Sequence, residues 1–114
     1  MALQLEISDF NNIKELALQG ALNSATAKEA EEKLKQLILG GNKVLLVNLS
    51  ELDYISSAGL RILLVANKLI KKHDGSLRIH SLQKIVREVF EISGFDMIFE
   101  IYEDRDTALN SNQS

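Results

Sequence analysis

The chain has 114 residues, a formal net charge of −3 and no cysteine, and its residues are 46% hydrophobic and 25% charged. This composition is typical of one globular domain with a packed core, and the lack of cysteine excludes disulfides and thiolate metal sites. The negative charge argues against binding nucleic acid through its phosphates, and no apolar run is long enough for membrane insertion. Because the start of the chain shows no secretory signal, we expect a cytoplasmic protein.

The first part of the chain predicts a β-hairpin, a helix and a buried strand. Residues 3–7 alternate apolar and polar side chains, as in a strand with one covered face, and residues 16–18 predict a second strand beside it. A helix is expected from about Ser24 to Leu39, ended by the Gly40-Gly41 pair. Three residues are possible N-caps of this helix: Asn23, Ser24 and Thr26. The apolar run Val44–Val47 predicts a central strand that is covered on both faces.

The second part continues the alternation of helices and strands. It predicts helices over residues 60–72, 82–90 and 103–111, and strands over residues 77–79 and 99–101. The predicted order is ββαβαβαβα. This order indicates an α/β fold in a single domain, residues 1–110, with a mixed, mostly parallel sheet of about five strands and helices packed on it. Residues 111–114 are expected to form a polar tail.

The junction between the central strand and the next helix, "SELDYISSAG", is rich in small and hydroxyl side chains. We interpret it as a loop at the carboxyl end of a strand, where α/β proteins meet ligands and partners. Either Ser56 or Ser57 can cap the following helix. Ala58 and Gly59 are expected to keep the approach to these serines open.

The residues alone leave two roles for Ser57, a helix cap or a site of phosphorylation, and argue against a catalytic nucleophile. A phosphate at a helix start is favoured by the helix dipole, whereas a nucleophilic serine needs a base within hydrogen-bond reach. His73 is expected to complete a helix end, and His80 is expected to be an ordinary surface or capping residue at a strand end. We therefore predict no catalytic residue, no metal site and no cofactor.

Three segments together resemble the STAS domain family, in particular the bacterial anti-sigma factor antagonists. The segment "VLLVNLSELDYISSAGLRILL" is similar to the family's strand, serine loop and helix, and "LQGALNSATAKEAEEKL" and "VREVFEISGFDMIFEIYED" are similar to its flanking parts. The resemblance extends from about Leu3 to Leu109.

The resemblance implies a phosphorylation switch without catalytic activity. Such an antagonist binds an anti-sigma factor that is also a serine protein kinase, and phosphorylation of one loop serine ends the binding until a serine phosphatase reverses it. Sigma-factor-dependent transcription is regulated in this way. The modified serine corresponds to Ser57, with Ser56 as the alternative. The implied partner-binding residues are Gly20, Ala21, Leu22, Asn23, Ser24, Ser56, Ser57, Ala58, Gly59 and Leu60.

The chain departs from the family pattern at three positions, where Asn23, Asn48 and Ser56 stand in place of aspartates. One alternative function is a STAS accessory subunit of a transporter or signalling complex, in which Ser57 is only a helix cap. Another is a small anion- or nucleotide-binding enzyme built on the same helix terminus.

Overall fold

The structure is a computed structural model that describes residues 2–111. Its strands are β1 (Leu3–Phe10), β2 (Ile13–Leu22), β3 (Val44–Asn48), β4 (Leu52–Ile55), β5 (Ser76–His80) and β6 (Glu100–Tyr102). Its α-helices are α1 (Ala27–Leu39), α2 (Ser57–Lys72), α3 (Lys84–Ser93) and α4 (Arg105–Leu109), and a single 3₁₀ turn covers Phe95–Met97. The predicted α/β fold class is confirmed.

The sheet is mixed and mostly parallel. β1 and β2 form the predicted antiparallel hairpin, and Asn11 and Asn12 turn the chain with φ values of 53° and 66°, as a two-residue type I′ turn requires. The strand order is β1-β2-β3-β5-β6, and every pair after the hairpin is parallel.

The strand β4 corrects the interpretation of residues 50–59 as a loop. β3 pairs with the first part of β2, and β4 pairs parallel to its last part, from Gly20 to Leu22. After a turn of three residues, β4 therefore lies on the same side of β2 as β3 does and pairs with the next part of that strand. It was missed because a four-residue strand with two exposed central side chains, Asp53 and Tyr54, gives little periodic signal.

The two faces of the sheet differ in chemistry. One face carries buried apolar side chains, including Leu16, Leu45 and Ile79, which belong to one core with α1 and α2. The other face is covered by α4, which packs on β3, β5 and β6. There the register aligns Glu15, Leu46, Arg78 and Glu100 across four strands, so polar groups lie under α4.

Several predicted helix ends shift. α1 begins at Ala27 because Asn23 to Thr26 form a turn, in which Asn23 Oδ1 accepts hydrogen bonds from the backbone N–H groups of Ala25 and Thr26. α2 begins at Ser57, three residues before the predicted start, and ends at Lys72 as predicted, with His73 as its C-cap.

Gly94 ends α3, with a φ of 78°. At the other end of the chain, Ser111 accepts a hydrogen bond from the Tyr102 hydroxyl. The rest of the predicted tail, residues 112–114, lies outside the described residues.

Candidate functional site

The start of α2 assigns different roles to the two adjacent serines. Ser56 has an extended backbone (φ −102°, ψ 175°), and its hydroxyl oxygen accepts a hydrogen bond from Gly59 N at 3.3 Å. Ser56 is therefore the N-cap, and Ser57 is the first residue of the helix.

The hydroxyl of Ser57 lies free at the surface. Ser57 is exposed, whereas Ser56 is half-buried. Within residues 2–111, the side-chain hydrogen bond at this helix start involves the hydroxyl of Ser56 and not that of Ser57. The first turn of α2 contains no acidic residue. Ser57 is thus presented to solvent beside the positive end of a 16-residue helix.

Gly59 is needed for packing, which corrects the expectation that it keeps the serines accessible. The residue is buried, and a Cβ atom placed on it would lie 2.8 Å from Leu22 Cγ and 2.9 Å from Ile55 Cγ1. It would also lie 2.9 Å from the backbone oxygen of Leu22. Glycine at this position lets α2 approach β2 and β4 closely enough to fix the position of Ser57.

The two segments expected at the partner surface lie side by side. Ser56 N donates to Leu22 O at 2.9 Å, and Thr26 Oγ1 donates to Ala21 O at 2.9 Å, so the loop after β2 is held against the start of α2. Of the ten expected residues, Ser24 and Ser57 are exposed, Gly20, Asn23, Ser56 and Ala58 are half-buried, and Ala21, Leu22, Gly59 and Leu60 are buried. Most of the buried residues cannot contact a partner themselves and only hold the exposed residues in position.

Asn23 and Ser56 each supply a hydrogen-bond acceptor that carries no charge. Asn23 Oδ1 holds the turn before α1, and Ser56 Oγ caps α2. Both acceptor roles suit a carboxylate equally well. Neutral side chains therefore hold the backbone in both places.

An apolar groove of about 260 Å³ adjoins Ser57. It is lined by Ser57, Leu60, Arg61, Leu64, Ser93 and Phe95. The first four are spaced i, i+3, i+4 and i+7, so they share one face of α2. Sequence reasoning did not identify Arg61, Leu64, Ser93 or Phe95 as site residues. The spacing of Arg61 and Leu64 from Ser57 is helical and could have indicated these two.

A buried polar cluster lies under α4, and it corrects the expectation for His80. This residue is only 1% exposed, and its Nε2 donates to Glu15 Oε1 at 2.7 Å. Arg105 Nε and Nη2 donate to the two oxygens of Glu15, each at 2.9 Å, and Asn48 Nδ2 donates to Oε2 at 3.2 Å. The second ring nitrogen of His80 is 2.8 Å from Ser81 Oγ. The cluster anchors α4 to β2, β3 and β5.

Glu15 remains ionised inside this cluster. Burial raises the pKa of Glu15, but the hydrogen bonds from His80, Arg105 and Asn48 outweigh burial and lower the pKa to about 2. The same contacts explain why an amide suits position 48. An aspartate there would face the Glu15 carboxylate with a second negative charge, whereas the amide donates a hydrogen bond.

The polar cavity beside the cluster, about 340 Å³ in volume, gives no separate site. Its lining includes Asn48, His80 and Arg105, whose polar atoms already bind Glu15. In the part of the chain that the structure describes, no group of three or more His, Asp or Glu side chains could hold a metal ion. No helix in residues 2–111 is long and apolar enough to cross a membrane.

The sequence profile of the STAS domain family matches residues 4–108, so the chain belongs to this family. It is 39% identical over 106 residues to BtrV of Bordetella bronchiseptica, a protein named as a candidate anti-sigma factor antagonist; the match covers 93% of this chain and 91% of that protein.

Solved structures support the fold. An anti-sigma factor antagonist from Mycobacterium paratuberculosis has a TM-score of 0.86 at 21% identity, covering 95% of this chain and 92% of that one. The phosphorylated form of the Bacillus cell fate determinant SpoIIAA has a TM-score of 0.70 at 20% identity, covering 96% and 97%.

Proposed function

We propose that the protein is an anti-sigma factor antagonist whose binding is switched by phosphorylation of Ser57. In the unmodified state it binds an anti-sigma factor that is also a serine protein kinase, and this binding releases the sigma factor for transcription. The names of its relatives support the antagonist function, and the exposed, unengaged hydroxyl of Ser57 is the observation that carries the switch.

The phosphorylation step requires only that Ser57 be accessible to the kinase. The Ser57 oxygen attacks the γ-phosphorus of ATP, the bond to ADP breaks, and the hydroxyl proton is released. A phosphatase reverses the change by adding water across the O–P bond. Ser56 is the weaker alternative because its oxygen is half-buried and already accepts a hydrogen bond from Gly59.

Electrostatics supports a switch at this position. A phosphate adds about −1.5 to −2 charges at neutral pH. The dipole of α2 stabilises that charge by about 0.3–1 kcal/mol, so the fold of the antagonist tolerates it. Facing a partner surface, the same charge opposes binding by several kcal/mol wherever it meets an acidic or apolar group. The modification is therefore compatible with folding and incompatible with binding.

The proposed partner surface follows from exposure and lies around the two adjoining loops. Its accessible members are Gly20, Asn23, Ser24, Ser56, Ser57 and Ala58. The buried Ala21, Leu22 and Gly59 hold these loops in place. We propose a binding module that carries out no catalysis, because His80, whose ring nitrogens bind Glu15 and Ser81, provides no base for Ser57.

The experiment is phosphate mapping with matched serine variants. The chain is incubated with ATP and the anti-sigma factor kinase of the same organism, and the phosphate is located by mass spectrometry. We expect one phosphate on Ser57, full labelling of Ser56→Ala, and none of Ser57→Ala. Labelling of Ser56 alone, or of neither serine in the wild-type chain, would overturn the proposed switch.

A further inference from the structure

The α2 helix has a charge pattern unlike that of the rest of the chain. Its four charged residues, Arg61, Lys68, Lys71 and Lys72, are all basic, although the whole chain has a net charge of −3. Arg61 is exposed on the groove wall, and the ion pairs found among residues 2–111 involve other cations. The groove beside Ser57 therefore combines apolar walls with an unengaged positive charge.

The open shape of the groove favours a protein segment over a small molecule. Its volume is about 260 Å³, and it is open to solvent. Pockets for drug-sized ligands measure roughly 300–1,000 Å³ and enclose most of the ligand surface. Exposed apolar residues also lie close in sequence to the groove residues: Ile92, directly before Ser93, and Met97, two residues after Phe95, are 88% and 87% exposed. Exposed apolar residues near an apolar groove are typical of protein interfaces.

From these observations we infer that the groove between α2 and the Ser93–Phe95 segment docks a segment of the anti-sigma factor that places an apolar side chain beside an acidic one. This inference rests on the proposed function. The apolar side chain packs on Leu60, Leu64 and Phe95, and the acidic side chain pairs with Arg61.

The position of Ser57 gives the groove a role in release. Ser57 lies on the same wall, one helical turn before Arg61, so a phosphate on Ser57 is within reach of the guanidinium in the i,i+4 arrangement. The phosphate then competes with the acidic side chain of the partner for Arg61 and repels it. The partner is therefore released because the phosphate replaces its acidic side chain in the ion pair with Arg61. No change of fold is needed.

The test measures binding of the anti-sigma factor by calorimetry with a charge reversal inside the groove and a matched reversal outside it. Arg61→Glu is expected to weaken binding by about 30-fold or more, and Leu64→Ala by about 5- to 10-fold. Lys72→Glu makes the same charge change about 16 Å further along the same helix and is expected to alter binding by less than about threefold. Thermal unfolding of each variant verifies that it is folded.

The outcomes separate this inference from the proposed function. If Arg61→Glu and Leu64→Ala bind like the wild type while Ser57→Glu does not, the groove is not the docking site, although the switch stands. If the wild-type chain itself does not bind the anti-sigma factor, the proposed function fails, and the inference fails with it.

Discussion

Ser57 and Glu15 show how differently one small domain can treat two polar groups. Glu15 is 3% exposed, and both of its oxygens accept hydrogen bonds, from His80, Arg105 and Asn48. Ser57 is exposed, and among residues 2–111 the capping hydrogen bond is made by the hydroxyl of Ser56 instead. The first arrangement fixes the fold, and the second leaves a hydroxyl accessible to solvent, where we propose that a kinase modifies it.

The comparison predicts that losing Glu15 harms stability more than any change at Ser57. Glu15→Ala leaves His80 and Arg105 without their acceptor, and removing one partner of a buried ion pair costs about 3–5 kcal/mol. Urea unfolding should show this loss. The matched control is Glu103→Ala, because Glu103 pairs with Arg87 at the surface, where such a pair contributes less than about 1 kcal/mol. Equal losses in the two variants would contradict the structural role of the cluster.

Lowering the pH should remove the contribution of Glu15 to the free energy of unfolding without any mutation. Its pKa in the folded protein is lowered to about 2, so the unfolded chain binds a proton at higher pH than the folded one. The stabilisation is complete above about pH 5 and is lost as the pH falls toward 2, by roughly 3 kcal/mol in all. Urea unfolding over this pH range measures it, and the decline should be shallower in Glu15→Gln. A decline of the same steepness in both proteins would exclude Glu15 as its cause.

Gly59 positions Ser57 through its packing against Leu22 and Ile55. In Gly59→Ala the new methyl group would lie within 3.0 Å of Leu22 and Ile55, and overpacking of this kind costs about 1–3 kcal/mol. Ser57→Ala, at an exposed position two residues away, should change the free energy of unfolding by less than about 0.5 kcal/mol. Unchanged stability of Gly59→Ala in the same urea assay would show that a methyl group fits at this position and would contradict the close packing.

The smallest expected effect concerns Arg61 in the phosphorylated chain. Pairing of Arg61 with the phosphate lowers the phosphate pKa, by an interaction of about 0.2–0.5 kcal/mol. A ³¹P NMR titration should therefore give a higher phosphate pKa in Arg61→Gln than in the wild-type sequence. The Lys72→Gln variant serves as the control and should titrate like the wild type. Identical titrations for all three proteins would exclude the pairing.

The apolar half of the fold could be predicted from the sequence, and the polar half could not. Leu45 and Val47 lie in an apolar run that indicates a buried strand, and the leucines of α2 recur at helical spacing. Glu15 and His80, in contrast, are 65 residues apart, and charged side chains on a strand are expected to face water. Only the register of β2, β3 and β5 brings them together.

Part of the candidate site could be predicted from the sequence. Small residues before a helix predicted a loop at a strand end, and the family resemblance selected Ser57. The separate roles of Ser56 and Ser57 depend on backbone geometry, since either serine could cap the helix by sequence alone. The groove could not be predicted, because it depends on Phe95 lying close to α2, and no local sequence pattern indicates this contact.

The most direct test of the switch is a calorimetric titration of one anti-sigma factor with two forms of the chain, unmodified and phosphorylated on Ser57, at the same salt concentration. We predict tight binding of the unmodified form and a Kd at least about 100-fold higher for the phosphorylated form, equivalent to roughly 3 kcal/mol of opposing charge. Equal affinities of the two forms would contradict the central claim that a phosphate on Ser57 ends the interaction.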